Sequence, residues 1–274
     1  MLVCSLGDLT LDVVVRLAGP IAVGGDTSAE IRVGPGGQAA NVAAWAAALG
    51  ARARFLGKTG ADDAGELTRM RLASIGVEVL GPIGGRNGTI CSLVSPDGER
   101  SMASDRGAAA TLRVDELERS WLTDCDHLHV SGYALAEEPA RSSARRAVAL
   151  AREESALVSV DLASWSVIRD IGRDEFRRVV SDLAPDVVFA NEDENDAVGG
   201  PIPGVRWILK RGPAGCSFEG DERPALPVER VVDSTGAGDA LAAGWIVGGP
   251  DVALEAAARC VRTLGAMPTL GSDT

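Results

Sequence analysis

The stretch VVDSTGAGDALAAG, residues 231–244, sets a carboxylate directly behind a loop that has almost no side chains. Gly236, Ala237 and Gly238 leave backbone N–H groups uncovered at the start of a helix, and the helix dipole adds positive potential there. Such a loop forms a cavity for an anion, and the oxygens that gain charge during phosphoryl transfer suit it. Asp239, at the same helix start, is placed to take a proton from an incoming hydroxyl. A lone carboxylate there would read equally well as a helix cap. The ordered set D-S-T-G-A-G-D favours the catalytic reading. A second acidic group, NEDE (191–194), follows the apolar run DVVFA and so leaves the C-terminal end of a strand, the edge where open α/β sheets bind ligands. Its plain alternative is the solvated first turn of a helix.

These groups need a scaffold, and the rest of the chain supplies one. LVCSL (2–6) reads as a short buried strand, and GQAANVAAWAAALG (37–50) as an alanine-rich helix closed by Gly50. ARFLG continues as a strand, and DAGELTRMRLASIG as a helix closed by Gly76. From 77 to 105 short alternating strands are separated by the turns GGRNG and PDGER. With 11–33 they are expected to form a small sheet apart from the main body. Alternation then resumes: DELERSWL as a helix, HLHVS as a strand, a helix near 138–154, LVSVD as a strand, a helix around 167–182 and DVVFA as a strand. Strands VRWILK and CSFEG precede helices expected over 237–247 and 251–265. Strands alternating with helices predict an α/β fold with a mostly parallel sheet covered on both faces, in a single domain spanning 1–274.

The 274 residues, 46% of them hydrophobic, suffice for such a core. A net charge of −12 argues against a nucleic-acid-binding surface. Five scattered cysteines without a CxxC pair predict neither a disulfide framework nor a zinc site, and point to a reducing cytoplasm. No signal peptide and no membrane span are expected.

DSTGAGDALAAG closely resembles the C-terminal signature of the ribokinase-like (PfkB) carbohydrate kinase family, in which the last Asp is the catalytic base. GDLTLD (7–12) and GPGGQAANVAAWAAALGA (34–51) are similar to the family's first turn and N-terminal signature. By that resemblance Asp12, Gly36, Gly37 and Asn41 bind substrate. NEDE matches its N-x-x-E element, so Asn191 and Glu194 organise magnesium and phosphate through water. LKRGPAG (209–215) resembles the strand-end loop with Gly212 and Gly215, and Lys210, one of only two lysines in the chain, stands there to reach nucleotide phosphates as a point charge. Arg106 in SDRGAAATL is similar to the R-G-A element, where a guanidinium reaches substrate or the transferred phosphate; a solvated arginine is its alternative. CVRTLGAMPT (260–269), with Asp233 and Thr235, resembles a loop that encloses a monovalent cation such as K+ in some members. The family fold implied is a three-layer α/β/α sandwich with a small β-sheet lid, which often pairs two copies into a homodimer. DLASW (161–165) departs from the family's D-x-N, with Ala163 in place of Asn.

Two apparent motifs fail. GKT at 57–59 would need glycine at 52 for a P-loop, and Arg52 stands there. After Gly236 and Gly238 the third position of a dinucleotide fingerprint is Leu241. His127 and His129 share a strand face without further metal ligands and read as structural. The expected function is an ATP- and Mg2+-dependent kinase that phosphorylates a hydroxymethyl group of a small sugar, of ribokinase, fructokinase or ketodeoxygluconate kinase type. A nucleoside kinase of the same fold and a catalytically silent sugar-binding protein are the alternatives.

Overall fold

The structure, a computed structural model, describes residues 1–97 and 100–269. Its strands are β1 (Leu2–Leu6), β2 (Thr10–Leu17), β3 (Ala29–Gly36), β4 (Arg52–Leu56), β5 (Val77–Leu80), β6 (Gly88–Val94) and β7 (Arg100–Asp105), followed by β8 (His127–Ser131), β9 (Leu157–Asp161), β10 (Val187–Asn191), β11 (Arg206–Lys210), β12 (Cys216–Phe218) and β13 (Asp221–Arg223). The helices are α1 (Gln38–Ala48), α2 (Asp63–Ser74), α3 (Ala140–Glu153), α4 (Trp165–Ile171), α5 (Arg173–Asp182), α6 (Glu192–Val198) and α7 (Ala237–Cys260).

Nine strands form one sheet in the order β13-β12-β11-β10-β9-β8-β1-β4-β5. All pairs from β11 to β5 are parallel, and only the β12 and β13 edge is antiparallel. The chain runs outward from β1 to β4 and β5, then returns to β8 on the other side of β1. Strand order therefore reverses between β1 and β8, which opens a crevice at the C-terminal ends of the strands. Helices cover both faces because each crossover between parallel strands needs one. Trp45 of α1, Leu72 of α2 and Leu241 of α7 pack on one face against Phe55 and Phe189. Val148 of α3, Ile168 of α4, Phe176 of α5 and Val198 of α6 pack on the other against Leu128 and Val160. This is the expected three-layer sandwich.

The second sheet has four strands in the order β3-β2-β6-β7 and stands apart from the first. Residues 77–80, expected within it, instead form β5 at the edge of the main sheet, in parallel register with β4. That strand follows a crossover helix, so its pairing with β4 is the local solution. Residues 98 and 99 of the PDGER turn lie outside the described residues. The predicted helix DELERSWL is a pair of single 3-10 turns, Val114–Glu116 and Arg119–Leu122. The predicted helix around 167–182 is split into α4 and α5 at Gly172, whose φ of 94° no helix allows. Among the described residues no helix is long and apolar enough to cross a membrane.

The last helix is broken too. Gly249 has φ 79° and ψ −164°, Pro250 follows, and the second half ends at Cys260 rather than at 265. The break lets the two halves fold against each other: a Cβ on Gly244 would lie 2.6 Å from the Cα of Ala253. Gly244→Val is therefore expected to lower stability by about 1–3 kcal/mol, the usual cost of overpacking, read as a lower midpoint of urea unfolding. An unchanged midpoint would mean that the two halves do not meet there.

Candidate active site

Residues 236–238 form the entry to α7. Gly236 is left-handed, with φ 77°, and a Cβ on it would lie 2.5 Å from the Cβ of Ala266, so backbone conformation and packing both require glycine. A Cβ on Gly238 would lie 3.3 Å from Lys210 Nζ. The amides of this first turn thus sit beside an ammonium group. The Ala237 amide is turned back to the Ser234 carbonyl at 3.3 Å, which leaves the amides that follow it to face the crevice.

Asp239 is partly buried, and Asn41 Nδ2 of α1 donates to its Oδ2 at 2.7 Å. Burial first, then the negative charge of Asp161, pushes its pKa up to about 8, against the pull of the Asn41 hydrogen bond and of Lys210. At neutral pH this carboxyl is therefore mostly protonated, and it gains its charge only toward mildly alkaline pH.

Lys210, the last residue of β11, points its Nζ at Asp161 Oδ2, 2.6 Å away at the end of β9. The Asp161 side chain has no exposure and that of Lys210 is 12% exposed. Burial pulls the ammonium toward the neutral form, but the charges of Asp161 and Glu194 outweigh it and hold its pKa above the ordinary lysine value. Glu194 itself is pushed up to about 7 by burial, with Lys210 opposing. Asn191 and Glu194 form a capping box at the start of α6: the Asn191 amide donates to Glu194 Oε2 at 2.8 Å, and the Glu194 amide to Asn191 Oδ1 at 2.8 Å. NEDE does start a helix, but its Glu194 is buried rather than solvated, and the box that starts the helix also fixes that carboxylate within the field of Lys210.

Across the crevice, Asp12 of β2 accepts from Thr10 Oγ1 at 2.8 Å. A Cβ on Gly36 would overlap the Asp12 carboxylate, and one on Gly37 (φ 98°) would lie 2.5 Å from the Asp8 carbonyl, so this glycine pair lets β3 and α1 close onto the acids. Arg106 is only partly exposed: it pairs with Asp8, and its guanidinium lies 3.3 Å from the centre of the Tyr133 ring. Asn41 Oδ1 and Asp8 Oδ1 are buried without a protein partner. Buried acceptors of this kind call for donors from a ligand, and hydroxyl groups fit.

Gly212 (φ 52°) and Gly215 (φ 103°) make the turn after β11. They edge an apolar cavity of about 350 Å³ that also touches Pro213, Leu226, Leu241 and Leu254. Asp233 Oδ1 accepts from the Thr235 amide and hydroxyl at 2.9 and 2.6 Å, and its Oδ2 from the Gly265 amide at 3.0 Å, which ties the 260–269 loop to the site. His127 and His129 both bond Ser159 Oγ inside the sheet, at 2.8 and 2.9 Å, and burial lowers both pKa values, to about 3 and about 4, so they are neutral core residues.

The structure therefore gathers Asp239, Asn41, Lys210, Glu194 and the 236–238 loop at one end of the sheet, with Asp12 and Arg106 on the side of the small sheet. Two members were missed in the sequence. Asp8, the first acid of GDLTLD, holds Arg106, and Asp161, the acid of DLASW, holds Lys210. A signal existed for both: each acid ends or directly follows an apolar strand run, where a charge needs a reason.

A family model described as pfkB family carbohydrate kinase matches residues 1–269. The chain is 31% identical over 279 residues to an ATP-dependent ribose-1-phosphate kinase from Halopiger xanaduensis, covering 94% of this chain and 90% of that one. It is also 31% identical over 267 residues to fructokinase-1 of Oryza sativa subsp. japonica, covering 88% and 80%. Its fold superimposes on adenosine kinase from Sinorhizobium meliloti with a TM-score of 0.86 at 23% identity, over 98% of this chain and 96% of that one. The chain thus belongs to the pfkB family of carbohydrate kinases and is an ATP-dependent kinase of a sugar or nucleoside.

Proposed function

We propose that the protein transfers the terminal phosphoryl group of ATP to a hydroxymethyl oxygen of a small sugar, with Asp239 as general base. The observation that carries this reading is the carboxyl of Asp239, held by Asn41 beside the 236–238 amides and Lys210, with a pKa near 8. As the hydroxyl oxygen forms its bond to phosphorus, its proton passes to Asp239 and the bond to the leaving ADP oxygen breaks. The first-turn amides of α7 and the Lys210 ammonium face the oxygens that gain charge. Asn41 Oδ1 and Asp8 Oδ1 accept from acceptor hydroxyls, and the apolar cavity beside Gly212 and Gly215 takes the adenine.

Among the described residues no cluster of three metal ligands exists. That suits Mg2+ on a nucleotide, which keeps several waters and takes its other ligands from the phosphates. Asn191 and Glu194 would hold it through water, and when bound it would neutralise charge on the phosphate chain. Asp233 and Thr235 serve the turn by their mutual bonds, and a monovalent cation such as K+ beside them would stiffen that turn without entering the reaction. A silent sugar-binding protein would have no use for a carboxyl with this raised pKa at an anion-binding loop.

The four-stranded sheet serves as the lid, excluding water so that ATP is not hydrolysed in place of transfer. Its strand register puts Val13 opposite Val33 and Val15 opposite Ile31 on one face, with Ile31 59% and Val33 44% exposed. A second copy of the lid covers that face, giving a homodimer. The free thiols of all five cysteines suit a reducing cytoplasm, where ATP is at hand.

Asp239→Asn should cut turnover by at least about a hundredfold, the scale of losing a general base, with ATP and sugar affinity little changed, in an ATP-consumption assay across a panel of sugars and nucleosides. Near-normal turnover in that variant would return Asp239 to a helix cap. Light scattering at micromolar concentration should give twice the 28.2 kDa chain mass; a mass of one chain would reject the dimer.

A further inference from the structure

Helix α1 reaches the entry of α7 at two points. Its sequence, QAANVAAWAAA, is built almost wholly of small residues, and Trp45 is its one aromatic side chain. Asn41 and Trp45 lie four residues apart and so share a helix face. Asn41 holds Asp239. Trp45, one turn further on, is 2% exposed and donates through Nε1 to the Ala266 carbonyl at 2.9 Å. A buried indole N–H needs an acceptor of this kind.

Ala266 in turn lies against Gly236. A Cβ built on Gly236 would come within 2.5, 2.6 and 2.9 Å of the Cβ, Cα and carbonyl oxygen of Ala266, so this residue acts as a wedge under the 236–238 loop. The neighbouring Gly265 amide donates to Asp233 Oδ2 at 3.0 Å, which keeps the wedge in register with the turn before the loop. Cys260 Sγ also reaches this point, 3.3 Å from the Thr235 carbonyl and 3.9 Å from that of Ala266. A thiol has one weakly donated proton, and the shorter contact takes it. The Ala266 carbonyl therefore depends on the indole of Trp45.

We infer that Trp45 is a positioning residue for phosphoryl transfer: through Ala266 it fixes the 236–238 loop relative to the carboxyl that Asn41 holds, so one face of α1 sets base and loop together. This rests on the reading of Asp239 and its loop given above. Amides that act on charge developing during transfer lose rate, rather than affinity for ATP, when they are displaced. Trp45→Phe keeps an aromatic ring and removes the donor. Ala266→Gly keeps the carbonyl that the indole meets and removes the methyl that faces Gly236. Each variant is assayed with ATP and the fastest acceptor of a panel that includes ribose, fructose and adenosine. In each, kcat should fall about ten- to hundredfold, the scale of a small misplacement at a distance from the chemistry. KM for ATP should stay within about threefold of the wild-type value, the split that marks an interaction made in the transition state. The double variant should be no slower than the worse single one, because both changes release the same wedge. A kcat within about twofold of wild type in either variant, a KM that rises as far as kcat falls, or losses that multiply in the double variant would overturn the inference. If Trp45→Phe fails to fold, Ala266→Gly alone decides by the same split. Asp239→Asn, assayed alongside, reports on the base: a normal rate there with a slow Trp45→Phe would remove the base and leave the wedge standing.

Discussion

The site depends on one buried ion pair. Lys210 and Asp161 are both carried at the C-terminal ends of parallel strands, where the crevice opens, and together they decide the charge of everything near them. Without Lys210 the carboxyls of Asp161, Glu194 and Asp239 would share one poorly solvated pocket and repel one another. Without Asp161 the ammonium would lose the partner that offsets its desolvation. The pair works as a preset counter-charge rather than as a source of stability, since buried pairs contribute little net folding energy.

That placement follows from topology. Strand order reverses between β1 and β8, and the charged and polar side chains leave the strand ends at that reversal and across the strands beyond β8: Asp8 after β1, Asp161 at the end of β9, Asn191 at the end of β10 and Lys210 at the end of β11. α7 then packs across one face and brings Asp239 back to the same edge. Its break at Gly249 lets the second half return against Gly244 while the first turn keeps its orientation. Glycine is used where backbones or acids must approach closely, as at Gly36 under Asp12 and Gly236 under Ala266.

Much of this was legible in the sequence. The alternation of apolar runs and alanine-rich helices pointed to the parallel sheet, and the D-S-T-G-A-G-D order pointed to a glycine-built helix entry with Asp239 in its first turn. What escaped depends on contacts distant in sequence. Val77–Leu80 alternates like a lid strand, yet its register with β4 is set by the crossover before it. DELERSWL has helical composition but folds only into two short 3-10 turns. Asp161 and Asp8 look ordinary until Lys210, 49 residues away, and Arg106, 98 residues away, fold onto them. Arg106 was read toward substrate, and its pairing with Asp8 could not be seen from the sequence for the same reason.

The claim that Asp161 and Lys210 set the working charge of the site is tested most directly by the pH dependence of kcat/KM, which reports the free enzyme's groups. Asp239 must be ionised to accept a proton, so activity should rise with pH through an acid limb near 8 in the wild type. Asp161→Asn removes a like charge next to Asp239 and leaves Lys210 to act on it alone. Both changes favour the ionised carboxyl, so the limb should move to lower pH even as the maximal rate falls. An acid limb that stays in place on Asp161→Asn, or a wild-type limb at an ordinary carboxylate value, would contradict the account.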